Sequence, residues 1–302
     1  MRLSTPVDIP NYSIQLSHED KFTLMGSCFA ENIGERLSYH QFNVCQNPFG
    51  IVFNPISLSK GIHRIIENKP YTTDEIVQHN ELWLSLDHHG RFSNLDKTTC
   101  LSNINESIEI AHHQLKKSTL LVVTFGTAWV YEKSDFGIVA NCHKIPADQF
   151  TKRLLSVKEI KAAFESVLDA LNKFNSELNV LFTVSPVRHS KDGMHENNLS
   201  KASLLLATNN LVAQQDNCNY FPAYEIVMDE LRDYRFFNED MVHPSKTAIK
   251  YIWEKFSTGL FNTQTIELNA EIGKIQSALE HKPFNETSKA HKQFIQNTKI
   301  IY

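Results

Sequence analysis

A serine and a cysteine follow each other at the end of the first apolar run of this sequence. Residues 22–30 read FTLMGSCFA, and the pattern continues with apolar residues at positions 29, 33 and 37. It predicts a strand, a tight turn and a helix, with the Ser27 hydroxyl and the Cys28 thiol in the turn. Unpaired N–H groups and the helix dipole would lower the pKa of a thiol there. The turn predicts a nucleophile, although a small-residue turn with a buried cysteine fits this stretch equally well.

Asp240 and His243 form the second candidate pair, in the segment DMVHPS. The three-residue spacing predicts that both side chains lie on one side of a helical turn. The carboxylate would orient the imidazole, whose other ring nitrogen would deprotonate a nucleophile. Alternatively, Asp240 caps a helix and His243 is incidental. The presence of both segments in one chain favours the catalytic interpretation.

The string GSCFA at positions 26–30 resembles the motif that names the GSCFA family, which is similar to the SGNH (GDSL-like) hydrolase superfamily. The resemblance runs from about residue 20 to about residue 260. It includes NPFG from position 47, FGTAW from 125, NCHK from 141 and SPVRH from 185. It implies a three-layer α/β/α sandwich with a five-stranded parallel sheet, of the SGNH-hydrolase or flavodoxin-like kind, and acyl-transfer chemistry.

The resemblance also bears on which residue is the nucleophile. In SGNH hydrolases the nucleophilic serine lies in Gly-Asp-Ser-Leu, and an Asp-x-x-His segment near the end completes the triad. Setting Gly26 on that glycine places Cys28 on the serine, which favours Cys28. A shift of one residue in the turn would restore Ser27.

The oxyanion hole of the superfamily combines the N–H of the nucleophile, a loop glycine and an asparagine. Gly50 corresponds to the loop glycine, whereas Gly126 and Thr127 stand where the asparagine is expected. Thr127 or Asn141, with His143 as a neighbour, could replace it. Loss of one such donor can cost roughly a hundredfold in rate, so a weak or specialised enzyme is compatible with this departure.

The elements that must position these residues alternate between strand and helix patterns, which predicts a parallel sheet covered on both faces. Strands are predicted at 22–26, 42–45, 118–126, 179–185 and 219–221, with a further strand at 82–86 and a hairpin around 135–137. Helices are predicted at 29–37, 56–67, 103–117, 156–174, 199–215, 244–260 and 266–280. A loop at 187–198 contains Arg188 and His189, which we expect to contact substrate.

Ligands of such sheets bind at the carboxyl ends of the strands. We therefore expect the Gly-Ser-Cys turn, Gly50, Gly126, the 187–198 loop and the Asp240–His243 segment to converge on one edge. Convergence of these segments is the strongest argument that the sequence offers for a site.

Composition narrows the function classes. The net charge is −4 with both signs dispersed, which argues against a nucleic-acid partner. The five cysteines are widely spaced without a CxxC motif, so neither a disulfide framework nor a zinc site is expected. The adjacent histidines at 88–89 and 112–113 are predicted to be surface residues, and no metal or cofactor is expected.

No apolar run is long enough to cross a bilayer, and we expect a cytoplasmic protein whose oligomeric state stays open.

The chain is expected to comprise an N-terminal arm (1–21), a catalytic domain (22–261) and a C-terminal helical extension (262–302). Three functions fit. The first is an ester hydrolase working through an acyl-enzyme on a small-molecule or carbohydrate ester. The second is a polysaccharide O-acyltransferase, and the third is a non-catalytic carbohydrate- or protein-binding module on the same scaffold.

Overall fold

Residues 4–280, the part of the chain that the computed structural model describes, contain ten strands and eight α-helices. The strands are β1 (Lys21–Gly26), β2 (Asn43–Gln46), β3 (Val77–His79), β4 (Leu82–Leu84), β5 (Leu120–Phe125), β6 (Trp129–Lys133), β7 (Gly137–Val139), β8 (Phe150–Leu154), β9 (Asn179–Val184) and β10 (Cys218–Tyr220). The helices are α1 (Cys28–Tyr39), α2 (Pro55–Glu67), α3 (Lys97–Leu115), α4 (Val157–Phe174), α5 (Met194–Val212), α6 (Ala223–Glu225), α7 (Lys246–Leu260) and α8 (Thr263–Glu280).

The central sheet is five-stranded and parallel, with the order β10-β9-β5-β1-β2. Counted along the chain, this is the doubly wound order 2-1-3-4-5, whose topological switch point lies between the first and third strands. These two strands are β1 and β5, so a crevice is expected where Gly26 and Phe125 end them. The predicted five-stranded parallel α/β fold is confirmed.

Helices cover both faces of the sheet. Helices α2 to α5 pack on one face, in a core that includes Val123, Phe125 and Phe182. Helices α1 and α7 pack on the other face, around Phe22, Leu24 and residues of both helices. Strand β5 is buried along its whole length, which explains why its sequence is continuously apolar instead of alternating.

Two small antiparallel sheets lie outside the central sheet. One is the β3–β4 hairpin, and the other has the order β7-β6-β8. The hairpin predicted around 135–137 is present, since Lys133 pairs with Gly137. Strands β3 and β8 were not predicted, and β4 ends at Leu84, two residues before the predicted strand does. Strand β8 has no apolar alternation because it is an edge strand with Thr151 and Lys152 exposed.

Four helices begin two or more residues away from the predicted start; for α8 the start is Thr263 instead of residue 266. Helix α3 begins six residues earlier than predicted, because Asp96 accepts a hydrogen bond from the Thr99 N–H at 2.7 Å. Helix α5 begins at Met194, so the predicted 187–198 loop becomes helical after Gly193. Helix α7 begins at Lys246 behind its N-cap Ser245, which leaves Asp240 and His243 in a turn before the helix.

The terminal segments lie against the sheet layers. In the predicted N-terminal arm, Leu16 is buried and its N–H donates to the Leu260 carbonyl at 2.8 Å. Helix α8 packs beside α1, where the Tyr39 hydroxyl lies 3.2 Å from that of Ser277. The part of the predicted C-terminal extension beyond Glu280 lies outside the described residues, and the domain boundaries remain predictions.

None of the helices between residues 4 and 280 has both the length and the apolar character that a membrane crossing requires. The cytoplasmic location remains a prediction.

Candidate functional site

The Gly-Ser-Cys turn lies at the switch point of the sheet, where β1 passes into α1. Gly26 has φ +141, and a Cβ at this position would lie 2.2 Å from the Thr124 carbonyl oxygen, so only glycine fits. The Gly26 N–H donates to Asn47 Oδ1 at 2.9 Å. Ser27 is buried and caps α1, since its Oγ accepts from the Phe29 N–H at 3.3 Å. Ser27 therefore shapes the turn with both its backbone and its side chain.

Cys28 is the first residue of α1 and is half-buried. Burial raises the pKa of its thiol to about 11, and the charge of Glu31 adds to this increase. Lys201 and the N–H groups of Cys28 and Phe29 oppose the increase, as expected at a helix N-terminus. The expectation that the turn lowers the thiol pKa is wrong in its net sign, because desolvation exceeds the helix-terminus effect. The Cys28 thiol is therefore protonated near neutral pH and needs a base to remove its proton before it can act as a nucleophile.

Asp240 and His243 form a hydrogen-bonded pair in the turn before α7. Asp240 Oδ2 lies 2.7 Å from His243 Nδ1, and Oδ1 accepts hydrogen bonds from the Val242 and His243 N–H groups at 2.9 Å each. The hydrogen bonds from these two N–H groups, and to a smaller extent the bond to the imidazole, lower the pKa of Asp240 to about 2. The side chains of His243 and Asp240 are 46% and 50% exposed. The turn therefore holds the imidazole orientation without the helical geometry predicted from the spacing; Met241 has φ +57.

The thiol of Cys28 and the imidazole of His243 are linked electrostatically and not by a direct hydrogen bond between described residues. In the described part of the chain no hydrogen bond joins Cys28 to His243. Lys201 acts electrostatically on both Cys28 and His189, and His243 acts on His189. The four ionisable groups therefore belong to one electrostatic neighbourhood.

The two predicted oxyanion glycines have their N–H groups engaged within the protein. The Gly50 N–H donates to the Asn47 carbonyl at 2.7 Å and closes a turn at φ +74. The Gly126 N–H donates to the Phe53 carbonyl at 2.8 Å, and the Thr127 N–H shares that acceptor at 3.1 Å. Both glycines stand near the expected edge, but neither offers a free donor in this state.

The residues proposed to replace the missing asparagine divide into two groups. Thr127 and Asn141 line a cavity at the strand ends. Thr127 Oγ1 lies 3.1 Å from Ser200 Oγ, and Asn141 Oδ1 accepts from the His143 N–H at 2.9 Å. The ring of His143 points elsewhere, with Nε2 2.8 Å from the Ser85 carbonyl oxygen. His143 therefore anchors the loop after β7 to the segment around Ser85 and does not point into the cavity.

Arg188 and His189 line the same cavity, as does His243. The Arg188 guanidinium lies 5.4 Å from the Phe237 ring centroid, and the His189 ring packs edge-on against Phe53 at 5.4 Å. Burial, Lys201 and His243 lower the His189 pKa to about 4, so its imidazole is neutral at physiological pH. A neutral buried imidazole can donate or accept a hydrogen bond without charge.

The cavity has a volume of about 720 Å³ and lies between the strand ends and the β6–β8 sheet. The aromatic side chains of Trp129, Tyr131 and Phe150 contribute to its wall, and Asp240 and His243 lie on its rim. The Lys152 ammonium lies 4.7 Å from the Trp129 ring centroid. The size suits a small ester or one or two sugar units.

The paired histidines provide no metal site. His88 is fully buried, contrary to the surface prediction, and stacks on Phe49 at 4.5 Å. Burial lowers its pKa to about 3, which keeps it neutral. His113 is exposed as predicted, and His112 is half-buried. Between residues 4 and 280 no three His, Cys, Asp or Glu side chains are grouped so that they could hold a metal ion.

Two residues near the site were missed from sequence. Asn47 fixes the Gly26 turn, and its Nδ2 is buried without a partner among the described residues. Lys201 is buried on α5. A signal existed for Lys201: it is in phase with Leu204, Ala207 and Leu211 on the buried stripe of α5, where a lysine is out of place.

Comparison with known proteins gives a family but little beyond it. A solved carbohydrate esterase family 3 protein from Talaromyces cellulolyticus is similar at a TM-score of 0.38 and 8% identity, over 83% of this chain and 99% of that one. No curated protein matches. The GSCFA domain protein, C-terminal domain, matches residues 272–299, and the model of the GSCFA family matches residues 21–256. This chain therefore belongs to the GSCFA family.

Proposed function

We propose that this protein acts on ester bonds by acyl transfer, with Cys28 as nucleophile, His243 as general base and Asp240 as the group that orients it. The observation that carries the proposal is the 2.7 Å Asp240–His243 pair, which lines a cavity at the edge of the sheet where Cys28 begins α1, although Cys28 itself does not line that cavity. A nucleophile, an oriented base and a substrate cavity are the parts that acyl transfer requires.

The first half of the reaction forms an acyl-enzyme. The imidazole of His243 takes the Cys28 thiol proton, and Asp240 stabilises the resulting imidazolium. The thiolate adds to the ester carbonyl, and the tetrahedral intermediate expels the alcohol, which receives the proton from His243. The N–H of Cys28, which faces its own sulfur, is the oxyanion donor that the geometry supports best.

The second half of the reaction decides between hydrolysis and transfer. Water gives a hydrolase, whereas a sugar hydroxyl gives an acyltransferase, and His243 removes the proton of either acceptor. We place hydrolysis first, and the aromatic wall of Trp129 and Tyr131 supports carbohydrate O-acyl groups as substrates, because sugar rings pack on aromatic faces. Partitioning of the acyl-enzyme between water and added oligosaccharide, followed by mass spectrometry, separates the two reactions.

The test uses acetyl transfer from p-nitrophenyl acetate, followed by acid quench and intact mass measurement. We expect one acetyl adduct on the wild-type protein, none on Cys28→Ala, and strongly slowed formation on His243→Ala. Cys45→Ala is the matched control, because Cys45 is also half-buried with a pKa raised to about 11. An adduct that persists on Cys28→Ala and disappears from Cys45→Ala contradicts the assignment.

A non-catalytic binding module is the second candidate. It is favoured by the engaged N–H groups of Gly50 and Gly126 and by the separation of the thiol from the imidazole within residues 4–280. Titration calorimetry with acetylated oligosaccharides distinguishes the two. Binding without turnover, unaffected by His243→Ala but lost in Tyr131→Ala, supports the module.

A further inference from the structure

A lysine lies completely buried beneath the candidate site. Lys201 is on α5 and is only 1% exposed. Its Nζ donates to the Gly126 carbonyl and to the Ser185 carbonyl, at 2.6 Å in both cases. These carbonyls belong to the residues that directly follow β5 and β9. The amine therefore sits at the carboxyl ends of two neighbouring strands, next to the switch point where Cys28 begins α1.

A structural role alone does not explain a lysine here. A buried ammonium costs several kcal/mol when no opposite charge compensates it, and neutral side chains can also hydrogen-bond carbonyls. Within residues 4–280 the amine has no carboxylate in ion-pair contact. The Ser27 N–H donates to the Thr124 carbonyl at 3.3 Å, which brings the start of α1 to the end of β5 where the amine lies. The thiol of Cys28 is the ionisable group that acts on the charge of Lys201, and that charge in turn lowers the pKa of His189.

The pairing with Cys28 is reciprocal. Lys201 lowers the pKa of the Cys28 thiol, and the thiol raises the pKa of Lys201, which burial has lowered to about 7. Each charged form therefore stabilises the other. Two further groups modify this pair: the charge of Glu31 raises the Cys28 pKa by more than Lys201 lowers it, and the charge of His243 lowers the pKa of His189.

We propose that Lys201 is the positioning residue that activates Cys28: its ammonium, held between the Gly126 and Ser185 carbonyls, stabilises the thiolate. This inference rests on the proposed role of Cys28 as nucleophile. No bond to Lys201 forms or breaks, and the thiol proton leaves to His243. The buried cation occupies the end of β5, where the resemblance calls for an asparagine donor and the chain has Gly126 and Thr127.

The test measures the alkylation rate of Cys28 by iodoacetamide from about pH 6 to about pH 11, read by peptide mass spectrometry, because only the thiolate reacts. We expect Lys201→Met to slow Cys28 alkylation by about tenfold at about pH 6–7, where the Lys201 amine, with a pKa of about 7, is at least half charged; this is the effect of a rise of one pKa unit. Cys45, which has a similar burial and pKa without Lys201 beside it, is the internal reference and should react unchanged. Lys201→Arg keeps the charge and should stay within about threefold of wild type.

Three outcomes overturn the proposal. They are an unchanged Cys28 profile in folded Lys201→Met, equal slowing of Cys28 and Cys45, and a loss in Lys201→Arg as large as that in Lys201→Met. If Lys201→Met does not fold, a comparison of two alkylating reagents on the wild-type protein tests the proposal instead. A buried cation favours anionic iodoacetate over neutral iodoacetamide, so the rate ratio of these reagents should be higher at Cys28 than at Cys45. An equal or lower ratio at Cys28 refutes the inference.

The readout is independent of any ester substrate. If Cys28 responds to Lys201 but no ester is turned over, the pairing stands and the proposed enzyme function fails. If Cys28 forms the acyl-enzyme but its alkylation ignores Lys201, the enzyme proposal stands and the inference fails.

Discussion

Alanine variants of Ser27 and Cys28 separate the two possible nucleophiles, because the structure gives these neighbours different jobs. Ser27 Oγ is buried and caps α1 through a 3.3 Å bond from Phe29. Loss of an N-cap serine costs about 1 kcal/mol. For a domain of this size, that corresponds to a fall of roughly 2–4 °C in Tm. Cys28 occupies the first helical position, where alanine is a good helix former, so Cys28→Ala should change stability by less than about 0.5–1 kcal/mol.

The loss of activity should follow the opposite order to the loss of stability, with Cys28→Ala affected more than Ser27→Ala. Without the thiol no acyl-enzyme forms, and turnover of p-nitrophenyl acetate should fall by about a thousandfold or more, as for other nucleophile deletions. Ser27→Ala keeps the thiol and should retain turnover at a reduced level, since the turn loses only its cap. The assay pairs initial rates with thermal melts and with intact mass after acid quench.

One pattern refutes this reasoning. If Ser27→Ala loses the acetyl adduct at an unchanged melting temperature while Cys28→Ala keeps it, the register is shifted by one residue and Ser27 is the nucleophile. If both variants keep full activity, the nucleophile lies elsewhere.

Three further predictions concern the surroundings of the thiol. Glu31→Gln removes a charge that raises the Cys28 pKa, so alkylation of Cys28 at about pH 8 should accelerate severalfold; slowing would contradict the sign. Asp240→Asn should lower kcat by about a hundredfold or more with little change in KM, as initial rates would show. Since the backbone N–H groups of His243 and Val242, and then the His243 imidazole, lower the pKa of Asp240 in the folded protein, the stabilising contribution of these hydrogen bonds is present above the unfolded value and is lost as the pH falls toward about 2. Gly26→Ala should destabilise by at least about 1–3 kcal/mol, measured by denaturant unfolding, because of its φ of +141 and the close Thr124 carbonyl.

The sheet and the position of the turn could be predicted from sequence because their signals are local. Strand β5 is an unbroken apolar run, and α4 starts at a capping box in which Ser156 and Glu159 bond each other's backbone N–H groups. The five parallel strands then follow from the alternation of elements. These features depend on few residues and on burial alone.

The errors arise where tertiary contacts decide. Asp240 and His243 have a helical spacing. The Asp240 carboxylate nevertheless accepts hydrogen bonds from the Val242 and His243 N–H groups, and these bonds stabilise a turn instead of a helix. His88 looks like a surface residue, yet Phe49 and Tyr71 enclose its ring. The pKa of Cys28 shows the same limit, because the helix terminus is visible in the sequence and the extent of burial is not.

The opposite shifts of Cys28 and Lys201 explain how such a site can be stable at rest and still create charge. Burial raises the pKa of the thiol and lowers that of the amine, so desolvation favours the uncharged form of both groups. A thiolate or an ammonium formed alone meets this cost in full. The charge of an adjacent ammonium compensates part of this cost for the thiolate, and the two carbonyls at 2.6 Å already orient the ammonium. A neutral amide donor would offer the thiolate only a hydrogen bond, whereas the Lys201 ammonium offers it a full opposite charge while the thiol proton leaves to His243.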